Sequence, residues 1–326
     1  MNSLLYQELK KIPKIELHRH LEASFSLEAA RPYLRENLGF DELCLTPSKT
    51  LEDVLKKFEI IQDAFQTQEA VSKLTYEAHR EASKDNIKIV EFRFSPSFMA
   101  NRSKLSWEEI VEAVIDGVKK GEKDFDLVTG LILISSRDYG VEACAKTIDL
   151  ALKYQDDIVG VDLAGPERGF PPSDFALEFF RAHNAGLHVT IHSGETEFAE
   201  NVRTAVHILK AERIGHGIQV MHEEDILKEM IQKQIPFEIS LTSNFITQAV
   251  TQLEKHPVKM FFERGLPVSL NTDDPLFFGI DLTHEYEVAL SKVGLSQNNL
   301  KQILTQTYKA SFIPESKKSK YRDLFL

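Results

Sequence analysis

Apolar and polar residues along this chain follow two periods that take turns. Short β-rich runs recur at KIELHRHL (14–21), KIVEFRFS (88–95), DLVTGLILIS (126–135) and DIVGVDLAG (157–165). Four more follow at LHVTIHSG (187–194), ERIGHGI (212–218), IPFEISLT (235–242) and LPVSLNTD (266–273). Between them the spacing turns helical, as in WEEIVEAVIDGVKKGEKD (107–124) and EEDILKEMIQKQ (223–234). In the first of these helices Ile110, Val114, Gly117 and Val118 share one face, and Ser106 with Glu109 forms a capping box ahead of it. A strand followed by a helix, repeated, predicts parallel strands joined by right-handed crossovers. Eight such units predict an α/β fold closed as a (β/α)8 TIM barrel, with an open doubly wound sheet as the alternative.

Two stretches exceed a minimal barrel. Residues 22–87 read as several helices inserted after the first strand, where they would cover the C-terminal mouth. Leu51, Leu55 and Phe58 share a helical face there; packing on the barrel accounts for them better than a lid does. The tail after residue 283 reads as two further helices, and its basic stretch KKSKYR (317–322) as a solvated helix end. With no internal repeat, low-complexity segment or Gly/Ser linker, residues 1–326 are expected to form a single domain.

Composition narrows the class of protein without pointing to a chemistry. The 326 residues are 42% hydrophobic and 27% charged, which suits a globular protein with a sizeable core. Thirty-nine basic against 50 acidic side chains give a net charge of −11, which argues against nucleic acid or anionic membrane as a partner. Cys44 and Cys144 are too few for a disulfide scaffold or a Cys-rich zinc site. No apolar run reaches the roughly 20 residues of a membrane helix, and the charged opening MNSLLYQELKKIPK is unlike a signal peptide. A soluble cytoplasmic protein is expected.

The histidines and carboxylates are more informative. His18 and His20 stand two apart near the end of the first predicted strand, so both face the same side and can converge on one metal ion. Alone, the pair reads more readily as packed or surface histidines. His192 and Glu195 lie in HSGE at the end of the fifth strand. His192 would join the metal site, and Glu195 above it suits a proton shuttle, although a first-turn glutamate is also a common helix feature. His216 sits between glycines that allow close approach, and singly it suits a buried core histidine. Asp273 and Asp274 end the eighth strand, where adjacent buried carboxylates repel and a divalent cation would relieve one of them. Each could instead cap the helix that Pro275 begins. His18, His20, His192, His216, Asp273 and Asp274 all fall at the strand ends where barrel active sites are built. Histidines 79, 183, 188, 207, 222, 256 and 284 fall mostly elsewhere and read as structural. Three imidazoles and one carboxylate suit Zn²⁺, with a position left for water.

In this order and spacing, ELHRHLE, EFRFSP, DLAGPE, HSGE, RIGHG, SLTSN and SLNTDDP resemble the adenosine deaminase family from about Pro13 to the ASFIPE stretch at 310–315. The resemblance implies one zinc ion per chain, held by His18, His20, His192 and Asp273. It implies that Glu195 protonates purine N1 and that His216 orients and deprotonates the water attacking C6. Asp274 would contact that water and the N7 side, and the Gly165 backbone would meet N3. His20, Glu22, Gly165 and Asp274 would thus face a purine nucleoside or base. The PCxxC motif of the cytidine-type zinc deaminases is absent. The fourth strand also lacks the lysine that bridges two metals in binuclear relatives. Against the family's usual pattern, Glu22 and Ala23 replace Asp and Gly, and Pro166 removes a backbone donor after Gly165. Adenosine, free adenine and a modified adenosine such as aminodeoxyfutalosine all remain compatible substrates. Hydrolysis of another bond, such as a cyclic amide, and a non-catalytic purine- or metal-binding barrel are the competing classes.

Overall fold

The computed structural model describes residues 3–34, 39–46, 51–195 and 198–326. Eight strands form one sheet in sequential order: β1 (Lys14–His20), β2 (Ile87–Phe94), β3 (Val128–Ser136), β4 (Ile158–Ala164), β5 (His188–Ser193), β6 (Arg213–His216), β7 (Phe237–Ile239) and β8 (Val268–Leu270). Every neighbouring pair is parallel. The first and last strands meet through an isolated bridge between Arg19 and Asp273, so the sheet is a nearly closed barrel. Side chains complete that seam. Asn271 Oδ1 accepts the Leu17 and His18 amides at 2.9 and 3.1 Å, and Glu16 Oε1 accepts the Thr272 amide at 2.7 Å.

The helices follow the sequence periodicity closely. Ile110, Val114, Gly117 and Val118 are all buried on helix Trp107–Asp124, and the Ser106–Glu109 capping box is formed. This helix packs on helix Gln68–Lys84, and its glycines permit the close approach. A Cβ on Gly117 would lie 2.5 Å from the Ser72 carbonyl oxygen, and one on Gly121 2.4 Å from the His79 ring.

Two readings differ from expectation, and two further details add to it. IPFEISLT ends as a strand at Ile239, because Leu241–Ile246 turns into a helix whose Leu241 and Thr242 amides are taken by the buried Glu285 carboxylate. The eighth strand stops at Leu270, so Asp273 and Asp274 stand beyond it, with Asp273 at φ +65°. A helix at Leu4–Lys10 precedes the barrel. The basic tail is largely exposed at Lys317, Lys320 and Arg322, as a solvated helix end should be, but not throughout. Lys318 is buried and donates to the Tyr308 and Ser311 carbonyls, and Lys317 pairs with Glu122 at 2.8 Å. No described helix is long and apolar enough to cross a membrane.

The barrel interior is charged, as the C-terminal mouth needs. A chain of ion pairs runs from Glu91 through Arg213, Glu238 and Arg93 to Asp162, with N···O separations of 2.6–2.8 Å and every member buried. Such pairs offset the cost of burial through close contact with opposite charges and further hydrogen bonds. Here the two ends of the chain are anchored. Glu91 accepts the Phe312 amide below, and Asp162 meets His192 above.

Candidate active site

β1 points His18 and His20 to one side, and β5 delivers His192 opposite them. Their rings approach to 4.5 Å (His18–His192), 5.3 Å (His20–His192) and 5.4 Å (His18–His20) between centroids. Asp273 reaches the same point from beyond β8. Its Oδ1 lies 3.2 Å from His18 Nε2 and 3.1 Å from His20 Nε2. The left-handed backbone at Asp273 turns the carboxylate inward, a conformation that costs a non-glycine residue on the order of 1–3 kcal/mol.

The arrangement fits a metal ion. Ligand atoms from His18, His20, His192 and Asp273 all lie within 4.8 Å of one another. His18 Nε2 is buried and has no hydrogen-bond partner, a state that costs free energy unless something binds there. The outer nitrogens are already engaged. His18 Nδ1 lies 2.8 Å from Glu238, and His192 Nδ1 lies 2.9 Å from Asp162. That is how metal-binding imidazoles are usually held, each with a carboxylate fixing tautomer and ring orientation. Despite burial, Arg93 and Arg213 keep Glu238 well below the ordinary carboxylate range, and His192 and Arg93 do the same for Asp162. Asp162 also stands in the strand where binuclear relatives carry a lysine. Neither Asp162 nor Glu238 was singled out from the sequence. Their signal is a lone carboxylate inside a run that otherwise reads apolar.

Around this point the remaining carboxylates are driven to different states. Burial pushes Glu195 up to about 7; nearby His216 opposes this and Asp273 reinforces it. Asp273 is held well below the usual range, burial notwithstanding, by the adjacent imidazoles of His18 and His20. Burial and the adjacent Asp273 raise Asp274 well above it. Glu22 is pushed up to about 7 by burial, with one oxygen accepting the Ser95 amide at 2.8 Å and the other unpartnered. His216, at φ +63°, places Nε2 3.9 Å from Glu195 Oε2 and 3.8 Å from Asp273 Oδ2. The glycine flanks matter here. A Cβ on Gly215 would come within 3.0 Å of the His18 ring, and one on Gly217 within 2.3 Å of Phe237.

The Glu195 carboxyl makes no hydrogen bond among the described residues, so its aim is set by its backbone. Glu167 receives the Gly194 and Glu195 amides at 2.9 and 3.0 Å and the Asn201 amide group at 2.9 Å. Arg137 donates to the His192 carbonyl and Gln219 to those of Gly194 and Glu195. Glu167 is the last residue of DLAGPE, and its clamp was not legible in the sequence.

One pocket gathers His20, Glu22, Gly165, His192, Glu195, His216, Asp273 and Asp274. His18 lies beneath it, fully buried. Its apolar wall comes from Val54, Leu55, Phe58 and Phe98, so Leu55 and Phe58 of helix Leu51–Ile61 face the pocket, and Phe58 also packs against Phe98 and Phe277. The Leu51 side chain lies outside the described residues. Among the described residues the lining contains no lysine or arginine.

The family model for adenosine deaminase matches residues 13–325. An adenosine deaminase of Vibrio parahaemolyticus is 37% identical over 325 residues, covering 96% of this chain and 97% of the relative. Adenine deaminase from Arthrobacter aurescens superposes with a TM-score of 0.88 at 26% identity, over 96% of this chain and 98% of that one. The N6-methyl-AMP deaminase of Arabidopsis thaliana gives 0.85 at 26%, over 98% of each. The chain belongs to the adenosine deaminase family.

Proposed function

We propose that this protein, acting as one domain, hydrolytically deaminates a 6-aminopurine, with adenosine as the leading substrate and inosine and ammonia as products. The observation that carries the reading is the convergence of three imidazoles, one of them with a buried unpartnered nitrogen, and Asp273 beside a second set of carboxylates pushed toward neutrality. His18, His20, His192 and Asp273 would hold one zinc ion, because three nitrogen donors and one carboxylate are a catalytic-zinc donor set. When bound, zinc supplies Lewis acidity that makes water a competent nucleophile near neutral pH.

The chain's own residues do the rest. Attack at an aromatic C6 puts charge on the ring, so a proton must arrive at N1 as the bond forms. Glu195 is suited to carry it, since burial keeps its carboxyl protonated close to neutrality. His216 and Asp274 flank the attacking water, and the Gly165 backbone meets the far edge of the purine. Glu22, with one free oxygen in the pocket, accepts a hydroxyl from the ribose side. A free base remains the second reading, favoured by the glutamate at position 22, which can equally accept N9–H. Among the described residues the lining offers a phosphate no cation, which favours a nucleoside or base over a nucleotide.

Parallel turnover of adenosine and adenine by zinc-loaded protein, followed by ammonia release, tests this. Faster adenosine turnover supports the leading reading, and a strong preference for adenine reassigns the substrate while keeping the chemistry. The Glu195→Gln variant is expected to retain one zinc and lose about a thousandfold in kcat. Substantial residual activity would remove Glu195 from the proton-donor role.

A further inference from the structure

Behind His216 lies a chain of hydrogen bonds whose direction is fixed at its far end. The backbone amide of Val258 reaches His256 Nδ1 at 3.2 Å. An amide N–H only donates, so His256 Nδ1 must accept, and it carries no proton. His256 is buried, and burial drives its pKa down to about 3, so the ring is neutral and its single proton sits on Nε2. That Nε2–H meets Asn244 at 3.2 Å and therefore requires the amide oxygen there. The Asn244 NH₂ is left facing His216 Nδ1 at 3.1 Å, as donor to acceptor. An imidazolium would present N–H groups on both nitrogens, so a His216 ring that accepts at Nδ1 is neutral and has one proton to place. With Nδ1 accepting, that proton lies on Nε2, the nitrogen nearest Glu195 and Asp273.

We propose that the relay Val258–His256–Asn244 locks His216 in the Nε2–H tautomer, so that His216 serves the reaction as a hydrogen-bond donor to the attacking oxygen and not as its base. The inference rests on the functional reading above for the identity of that oxygen, and it departs from the proton-accepting role the family resemblance implies. The ring proton stays on Nε2 throughout, so no proton is transferred at this residue. A neutral donor aimed at an oxygen that gains negative charge lowers the barrier without reorganising during the reaction. Asn244 and His256 are then positioning residues. Neither touches the pocket, and each sets the tautomer of the next ring.

The relay explains several features of the local sequence. Asn244 is fully buried on the short helix Leu241–Ile246, where an amide has no solvent to satisfy it. Both of its polar atoms are used, one by each histidine. His256 accepts the first amide of the helix Val258–Glu263 through the bond that fixes its own tautomer.

The tautomer is read directly by long-range ¹H–¹⁵N correlation of ¹⁵N-histidine-labelled, zinc-loaded protein, with His216 assigned by its loss in His216→Gln. The expected spectrum has an unprotonated Nδ1 and a protonated Nε2; the reverse pattern overturns the proposal. A second measurement predicts a sign. Asn244→Asp presents a carboxylate to both histidines, drawing the His216 proton to Nδ1 and leaving Nε2 bare. If His216 acts as a donor, kcat should fall about a hundredfold with KM within a few-fold, the cost of losing one preorganised donor to a developing oxyanion. If His216 acts as a base, the aspartate strengthens it and kcat holds or rises, which would sink the proposal. Should that variant not fold, the wild-type spectrum alone decides. Because the spectrum needs no turnover, an error in the substrate reading shows as inactivity on aminopurines with the tautomer result intact.

Discussion

Replacing Glu238 with glutamine tests whether the charged barrel interior supports the metal-binding histidines. Its carboxylate accepts four donors: Arg213 Nε at 2.6 Å and Thr190 Oγ1 at 3.0 Å on one oxygen, Arg93 and His18 Nδ1 at 2.8 Å each on the other. Glutamine keeps the shape but has one acceptor oxygen. In either orientation its NH₂ group confronts two of those donors, and two buried guanidiniums lose half their countercharge. Breaking a buried pair in this way costs about 3–5 kcal/mol. Spread over 326 residues, an unfolding entropy of roughly 2.1 cal/mol/K per residue converts that to a fall of about 4–7 °C in Tm. His18 also loses the acceptor that orients its ring, which should weaken zinc binding about 10–100-fold. Scanning calorimetry of the metal-free protein isolates the first effect, and chelator competition measures the second. A variant whose Tm stays within about 1 °C and whose zinc affinity stays within about twofold would refute the argument, because the ion-pair chain would then be dispensable to both.

Other consequences are open to simpler measurements. Glu167→Gln loses one of the two oxygens that clamp the Gly194 and Glu195 amides, so kcat should drop about tenfold or more with zinc retained, the amides exchanging faster by hydrogen–deuterium exchange. His79 is buried, which lowers its pKa from 6.5 to about 4. The unfolded chain therefore takes up this proton first as pH falls, so stability is lost between those values. The loss between pH 8 and pH 5 amounts to about 2 kcal/mol. Urea titrations should show that slope reduced by this amount in His79→Gln, and an unchanged slope would assign it elsewhere. Gly121→Ala drives a methyl group into the His79 ring, where it would sit 2.4 Å from the nearest atom, so urea titrations should show roughly 1–3 kcal/mol of stability lost.

What the sequence determined by itself is whatever short-range rules control. Alternating β-rich runs and helical stretches specify eight βα units, because period 2 and period 3.6 are local properties of a chain and parallel strands then require right-handed crossovers. The same rules bring His18, His20, His192 and His216 to the mouth, since each lies in the C-terminal half of its own strand. Asp273 and Asp274 were placed at the right mouth for a partly wrong reason. They stand beyond β8, and the left-handed backbone at Asp273, tied to β1 through the bridge to Arg19, turns that carboxylate inward. Only the tertiary structure decided what stands behind these residues. Asp162, Glu238, Glu167, Asn244 and His256 are separated from the groups they hold by 12 to 220 residues in sequence. Their partners are chosen by barrel closure, which no local pattern encodes. Lys318 makes the same point outside the site. Its neighbours in sequence are charged and predict solvent, yet the turn after Ser311 buries its amine against two carbonyls. Local composition sets which side chains are available, and the closed sheet then fixes which buried charges and hydrogen-bond donors must answer one another, because a buried polar group left unmatched costs more than the chain can spare.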